Sequence, residues 1–480
     1  MLAGKIYICS PLDSIWPPVI QTWILCFPCD SNRKTAIFNT LCAGLAKTIE
    51  QKPFLAGRLA VKHGQLQLTY RRLDKTPVPL SLNDLTDRPS VWRHSFEQLR
   101  REGMPIRHLA PNILEPAGGY ETLASAPIMA QANFIPGGCL LTVCLNHGFG
   151  DGPPQVSVIQ TWAQNCKDMD DQILATSSAT DSAPMVSATP NGAQPDMLTL
   201  PRALCADSTT SNPEKDNAMK YDPLLWQLLG LQRPAVEVTQ SRPRRPVLDN
   251  RVTAIFAASE ESIAHLKGLS QTPGCGESSS AVSTFDAEAA LIWRCVMRAR
   301  YDELKAAGIA HSRLRIPIGL RKTLGIPKEF PGNVFLNSVA EMPLAALVAE
   351  TDGRRIAPLI RTAIQATRDV NRARDAIQLA RLLPPHEFRR PLFSGTTAQD
   401  LVLTTWREFP FYKDSWGRSL SSTEYPHYVR FPEGHRPGMC AMLPRRGDGE
   451  VEVLIDMERE QLSRLVDDIE FKQYFKLRAA

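Results

Sequence analysis

The sequence predicts an α/β fold in two domains, and three observations carry that expectation. Short β-patterned runs alternate with amphipathic helical runs along most of the chain. A glycine-rich turn joins a strand-like apolar run to the helix after it, and a weakly hydrophobic stretch splits the chain near its middle. At 480 residues the chain is also too long for one ordinary core.

Taken in order, the runs at 6–9, 23–27 and 66–70 lie between turn residues and read as strands. After Asp30 and Ser31, apolar residues recur at Ile37, Leu41, Leu45 and Ile49, which places them on one helical face until Pro53 stops the helix. Residues 139–145 form a further strand. Val156, Ile159 and Ala163 then fall on the inner face of a helix whose first turn takes Pro153 or Pro154, where a missing N–H costs little. From about 167 to 223 the chain turns to Ser, Thr, Asp, Asn, Ala and Pro, and 233–251 holds Pro234, Pro243 and Pro246. Domains are therefore expected at 1–205 and 251–480, with a surface crossover at 206–250. In the second half, Ser283 and Asp286 form a capping box ahead of an apolar stripe at Ala287, Ala290, Leu291, Ile292 and Val296. A strand at 451–455 and a helix with Leu462 and Leu465 on one face close the chain.

The formal charge of +5, from 55 basic and 50 acidic residues, is small for such a surface and leaves no nucleic-acid footprint. Its local basic clusters, Arg71 with Arg72, Arg242 with Arg244 and Arg245, and Arg445 with Arg446, read as solvated surface. Eleven cysteines, odd in number and without a CxxC pair, suit reduced thiols. No run approaches the ~18 continuous apolar residues of a membrane span, and no leader pattern follows Met1. A cytoplasmic monomer with neither membrane nor nucleic-acid partners is expected.

The segment richest in chemistry is His147-Gly148-Phe149-Gly150-Asp151-Gly152, preceded by Asn146. Glycines at alternate positions free the backbone for a tight turn at a strand end, where α/β proteins place reactive groups. A histidine, with an unperturbed pKa of ~6.5, accepts and returns protons near neutrality. The carboxylate four residues on can hold the imidazole or brace the loop. Local features alone leave a hydrogen-bonded structural histidine open as well. No metal centre is expected, because no second His or Cys lies nearby at ligand spacing. The chain also carries no GxSxG elbow, P-loop or GxGxxG signature.

His147 to Gly152 resembles the HxxxDG motif of the BAHD acyltransferase family, in particular its fungal, trichothecene 3-O-acetyltransferase-like branch. The surrounding sequence agrees with that resemblance. Ser10-Pro11-Leu12-Asp13 resembles the family's N-terminal segment, Pro53-Phe54-Leu55-Ala56-Gly57-Arg58-Leu59 its PLAGRL turn, and Trp162-Ala163 follow the motif at the family's distance. Ser283-Thr284-Phe285 with Trp293-Arg294, then Leu320-Arg321, Gly332-Asn333, Thr405-Trp406 and Pro410-Phe411-Tyr412, match family signatures in order. Asp414-Ser415-Trp416-Gly417 stands where the family has DFGWG, one residue shorter and lacking the first glycine.

The resemblance implies two chloramphenicol-acetyltransferase-like domains, each a mixed sheet flanked by helices, with a channel between them. It implies acyl transfer from acyl-CoA, acetyl-CoA by default, to a hydroxyl or amine of a small-molecule secondary metabolite. CoA thioester is then a co-substrate, and no cofactor is bound permanently. His147 is expected as general base and Asp151 as an ion-paired brace. Trp416 is a candidate oxyanion donor through its indole N–H, with Gly417 in the channel loop. Ser283 and Thr284 are candidate contacts for the pantetheine arm or its phosphates, although capping already accounts for Ser283. The family pairs the second motif's aspartate with an arginine, positions that Asp414 and Arg321 resemble. Two other readings stay open: a condensation-type enzyme with a carrier-protein donor, against which Asn146 stands in place of a second histidine, and a catalytically silent small-molecule-binding protein.

Overall fold

The four-residue apolar spacing is realised in the helix Lys34–Gln51, which buries Ile37, Leu41, Leu45 and Ile49. It packs against the helix Gly152–Ser178, closely enough that a Cβ on Gly44 would collide with the Cys166 sulfur. The pairing is also polar: Trp162 Nε1 donates to the Leu41 carbonyl at 2.9 Å, and Asn165 Nδ2 to the Thr48 hydroxyl at 2.9 Å. The computed structural model describes residues 5–15, 19–62, 65–70, 78–118, 123–178, 201, 204, 213–233, 250–270, 282–383, 390–391, 399–434 and 439–480.

Two mixed sheets organise the described chain. The first orders its strands Tyr428–Arg430, Ile20–Pro28, Gly138–Asn146, Ile128–Ile135 and Leu80–Asp84. Its central strand, Gly138–Asn146, is buried at every residue. The turn that feeds this strand uses Gly137 at φ +77°, a conformation that a side chain resists. The second sheet orders Phe335–Pro343, His311–Gly319, Asp400–Thr405, Met439–Met442, Val451–Glu458, Arg251–Ala258 and Lys476–Ala479. On it lies the helix Thr284–Ala299, whose capping box forms and whose Trp293 Nε1 donates to the Ser312 hydroxyl at 2.9 Å. This helix buries almost every side chain, at about 1.5–3 kcal/mol for each large apolar one.

The structure departs from the expected linker and crossover in two places. The helix after the motif runs on to Ser178, past the point at 167 where composition suggested a linker. Within the expected crossover, 213–232 folds as helices Pro213–Tyr221 and Pro223–Leu229 and strand Leu231–Gln232. Leu225, Trp226, Leu228 and Leu229 there join the core of the second sheet. The rest of the crossover at 206–250, including Arg242, Arg244 and Arg245, lies outside the described residues apart from Arg233 and Asn250.

The stretch 406–431 returns to the first core although it lies late in the chain. Trp406, Phe411 and Phe431 ring Trp23 at centroid distances of 5.2, 4.9 and 5.0 Å. Arg430, on the strand added to the first sheet, pairs at 2.8 Å with Glu452 of the second, both side chains wholly buried. Among the described residues, no helix is long and apolar enough to cross a membrane.

Candidate active site

The central strand of the first sheet delivers the motif to its end. The chain then turns through the 3-10 turn His147–Phe149 into the helix Gly152–Ser178. Hydrogen bonds fix that turn on several sides. The His147 N–H donates to the Val19 carbonyl at 2.7 Å, and Asn333 Nδ2 donates to the His147 carbonyl at 2.8 Å. Asn146 accepts from the Gly148 N–H at 2.8 Å through Oδ1 and donates to the Ala124 carbonyl at 2.7 Å through Nδ2. Gly152 is needed for a close approach: a Cβ there would enter the Phe409 ring.

The imidazole of His147 is half-buried and meets Phe335 edge-on, with ring centroids 6.0 Å apart. Phe335 pairs with Gly319, beside which a Cβ would touch nothing. The same face of the second sheet carries Pro317 and Arg315, then Val402 and Thr404 on the neighbouring strand, none fully buried. The wall beside the imidazole is therefore open at Gly319 and closes progressively toward Arg315. Arg315 Nε donates to Asn337 Oδ1 at 2.7 Å, and burial lowers the Arg315 pKa to about 10.

Asp151 is turned the other way. It is 7% exposed, and Arg321 Nη1 lies 2.8 and 2.9 Å from its two oxygens. The Val334 N–H adds a third contact at 3.1 Å, while Arg321 Nη2 donates to the carbonyls of Phe330 and Gly332. The aspartate thus ties the motif to the 330–334 segment of the second half.

Asp13 completes the junction. Its Oδ1 accepts from the Asn333 N–H at 2.6 Å and from Asn333 Nδ2 at 2.8 Å, and its Oδ2 accepts from the Ser10 N–H at 2.8 Å. Burial outweighs these bonds and raises its pKa to about 6. A folded-state pKa above the unfolded value makes this site stabilise the fold at low pH and lose that increment as pH rises through about 6. Thermal melts from pH 4.5 to 7.5 should show the corresponding slope, and it should vanish in Asp13→Asn.

Five residues singled out in the sequence make other contacts here. Trp416 is 1% exposed and packs between Trp162 and Phe27, at 5.4 and 5.7 Å. Phe27 pairs with Cys139, seven residues before Asn146, so Trp416 sits about 24 Å back along the strand from the motif and is no oxyanion donor. Gly417, at φ +86°, lies against Asp170, which also accepts from the Ser419 N–H at 3.0 Å. The segment 414–419 therefore buttresses the long helix and does not line the transfer site. Asp414 accepts from Gln160 Nε2 at 3.1 Å on that helix, so the family pair that Asp414 and Arg321 resemble is not made, and Arg321 pairs with Asp151. Ser283 directs its hydrogen bonds into the cap with Asp286, and Thr284 is the first, half-buried residue of the helix.

Among the described residues, one group has metal-ligand geometry: Cys295, Asp468 and Glu470. Arg298 pairs with both carboxylates and Arg294 with Glu470, while burial pushes the Cys295 thiol up to about 12. That is an ion-pair network with its charge already matched.

Comparison with family models matches residues 119–472 to the Transferase family and residues 20–166 to the trichothecene 3-O-acetyltransferase-like N-terminal domain. The first match covers well over half of the chain. The chain belongs to the BAHD-type transferase family. This transferase is an acyltransferase. It is 28% identical to eremophilane O-acetyltransferase ORF8 of Penicillium roqueforti over 97% of each chain. It is 23% identical to trichothecene 3-O-acetyltransferase TRI101 of Fusarium sporotrichioides, over 96% of this chain and 95% of that one. The fold matches that of F. graminearum TRI101 complexed with coenzyme A and deoxynivalenol, with a TM-score of 0.74 at 22% identity, covering 99% of this chain and 100% of that one. Vinorine synthase has the same fold at a TM-score of 0.59 and 17% identity, covering 100% and 96%.

Residues 10–13 and 332–333 of this transferase were legible as family segments. Their meeting at His147 was not, since Asp13 and Asn333 lie 320 positions apart. Val19 and Phe335 gave no signal of their own.

Proposed function

We propose that this acyltransferase moves an acyl group, acetyl by default, from the thioester of coenzyme A to a hydroxyl of a small secondary metabolite, with His147 as general base. The observation that carries the reading is the division of labour inside the motif. His147 is held by its main chain and turns its ring to the open Phe335–Gly319 wall, whereas the Asp151 carboxylate is occupied by Arg321. A hydroxyl acceptor is supported by the two relatives, both O-acetyltransferases, and coenzyme A by the ligand of the F. graminearum structure.

In the proposed step the imidazole takes the proton of the acceptor hydroxyl as its oxygen attacks the thioester carbonyl. The tetrahedral oxyanion collapses, the C–S bond breaks, and the proton passes from imidazolium to the CoA thiolate. No acyl-enzyme forms. Positioned base catalysis contributes about 10²–10⁴-fold, and holding both substrates together supplies further acceleration. The enzyme is proposed to act as a cytoplasmic monomer.

The test is to incubate the purified chain with acetyl-CoA and hydroxylated terpenoid acceptors, following free thiol and the product mass together. Thiol release without acylated product would refute the transfer. Because the base is an imidazole and not a metal-bound group, EDTA should leave the rate unchanged. Inhibition by EDTA that added zinc reverses would refute the base mechanism.

A further inference from the structure

We infer that Asn333, clamped by Asp13, is a positioning residue of the transfer step: it holds the main chain of His147 so that the imidazole is aimed at the acceptor. This rests on His147 being the base. The segment 330–334 grips both ends of the motif, His147 through Asn333, and Asp151 through Val334 and through Arg321 bound to the Phe330 and Gly332 carbonyls. Gly332 makes the segment possible. It adopts φ +147°, and a Cβ there would press on the Phe330 ring.

The amide of Asn333 is committed in one orientation. Its Nδ2 donates to Asp13 Oδ1 and to the His147 carbonyl, both at 2.8 Å. A flipped amide would set its oxygen against those two acceptors, so the chemistry of the neighbours fixes the assignment. Its Oδ1 is buried with no hydrogen-bond partner among the described residues. Leaving a buried acceptor unmatched disfavours the fold, and packing alone gives no reason to keep an amide there. The hold on His147 does.

Asp13 supplies the counter-grip. Its Oδ1 takes both donors of Asn333, and its Oδ2 is anchored to the Ser10 N–H. With Asp13 removed, Asn333 keeps its bond to His147 but loses the group that sets its own position. The imidazole then samples a wider range of directions, and displacement of a reacting group by about 1 Å can lower a rate by about 10²-fold.

The test compares Asn333→Ala, Asp13→Ala and Asp13→Asn with the unmodified chain, using acetyl-CoA and a hydroxylated terpenoid that the unmodified chain acetylates, below the melting temperature of each variant. Asn333→Ala and Asp13→Ala should lower kcat by about 10²-fold while leaving KM for acetyl-CoA within about threefold. Asp13→Asn keeps a carbonyl oxygen for Asn333 and should recover most of kcat. The inference is overturned if kcat of Asn333→Ala stays near that of the unmodified chain, if the loss falls on KM alone, or if Asp13→Asn is as slow as Asp13→Ala. Should Asn333→Ala not fold, the two Asp13 variants carry the comparison; loss of the fold in all three would make the clamp structural and overturn it too. His147→Ala, run alongside, separates the two levels. If it turns over, the base reading itself fails; if it is dead while Asn333→Ala is normal, only the positioning role fails.

Discussion

Asp151→Ala should destabilise the fold by about 3–5 kcal/mol, because it strands the Arg321 guanidinium in the interior without its counter-charge. Both partners are about nine-tenths buried, so solvent does little to screen the loss. The Val334 N–H loses its acceptor at the same time. Urea unfolding should show a lower midpoint at an unchanged slope. Activity should fall as well, since the ion pair ties the turn that carries His147 to the 330–334 segment. Asp151→Asn keeps one oxygen, which can accept from both the Val334 N–H and Arg321 Nη1, so part of the stability should return. Arg321→Met together with Asp151→Ala should cost less than the sum of the single changes, the signature of a direct pair. An Asp151→Ala chain as stable as the original yet inactive would instead place Asp151 in the proton path.

Local features of the fold were legible because short-range physics dictates them. The spacing of Ile37, Leu41, Leu45 and Ile49 fixed a helical face, and Ser283 with Asp286 marked a helix start that the structure closes as a capping box. Averaged composition misled at 167–223. The expected crossover at 206–250 misled as well: the polar helix Pro213–Tyr221 and the prolines after 233 flank the short apolar run whose Leu225, Trp226 and Leu228 belong to the second core. The second motif misled for a different reason. Trp416 and Gly417 resemble a channel loop in sequence, but the strand Tyr428–Arg430 pairs with Ile24–Cys26 and draws the preceding segment to the far end of the first sheet. No local pattern encodes that pairing. The same holds for Asp13, Asn333 and His147, which meet from three distant parts of the chain.

His147→Ala should lower kcat by at least about 10³-fold, within the range a positioned base supplies. The fold should tolerate the change, because what locks the turn is main-chain hydrogen bonding at His147, and alanine keeps both its N–H and its carbonyl. The side chain that leaves is half-buried, with Phe335 as its ring neighbour. Melting temperature and acetyl-CoA affinity should therefore stay close to those of the unmodified chain. Loss of fold and binding together would show His147 to be a structural residue.

The decisive measurement is the single-turnover rate of CoA thiol release by His147→Ala, at saturating acceptor, on protein whose acetyl-CoA affinity has been checked by calorimetry. With the imidazole as base, the rate should collapse by about 10³-fold or more while the affinity holds. A variant that binds acetyl-CoA normally and still transfers the acyl group at most of the original rate would contradict the assignment of His147 as the base.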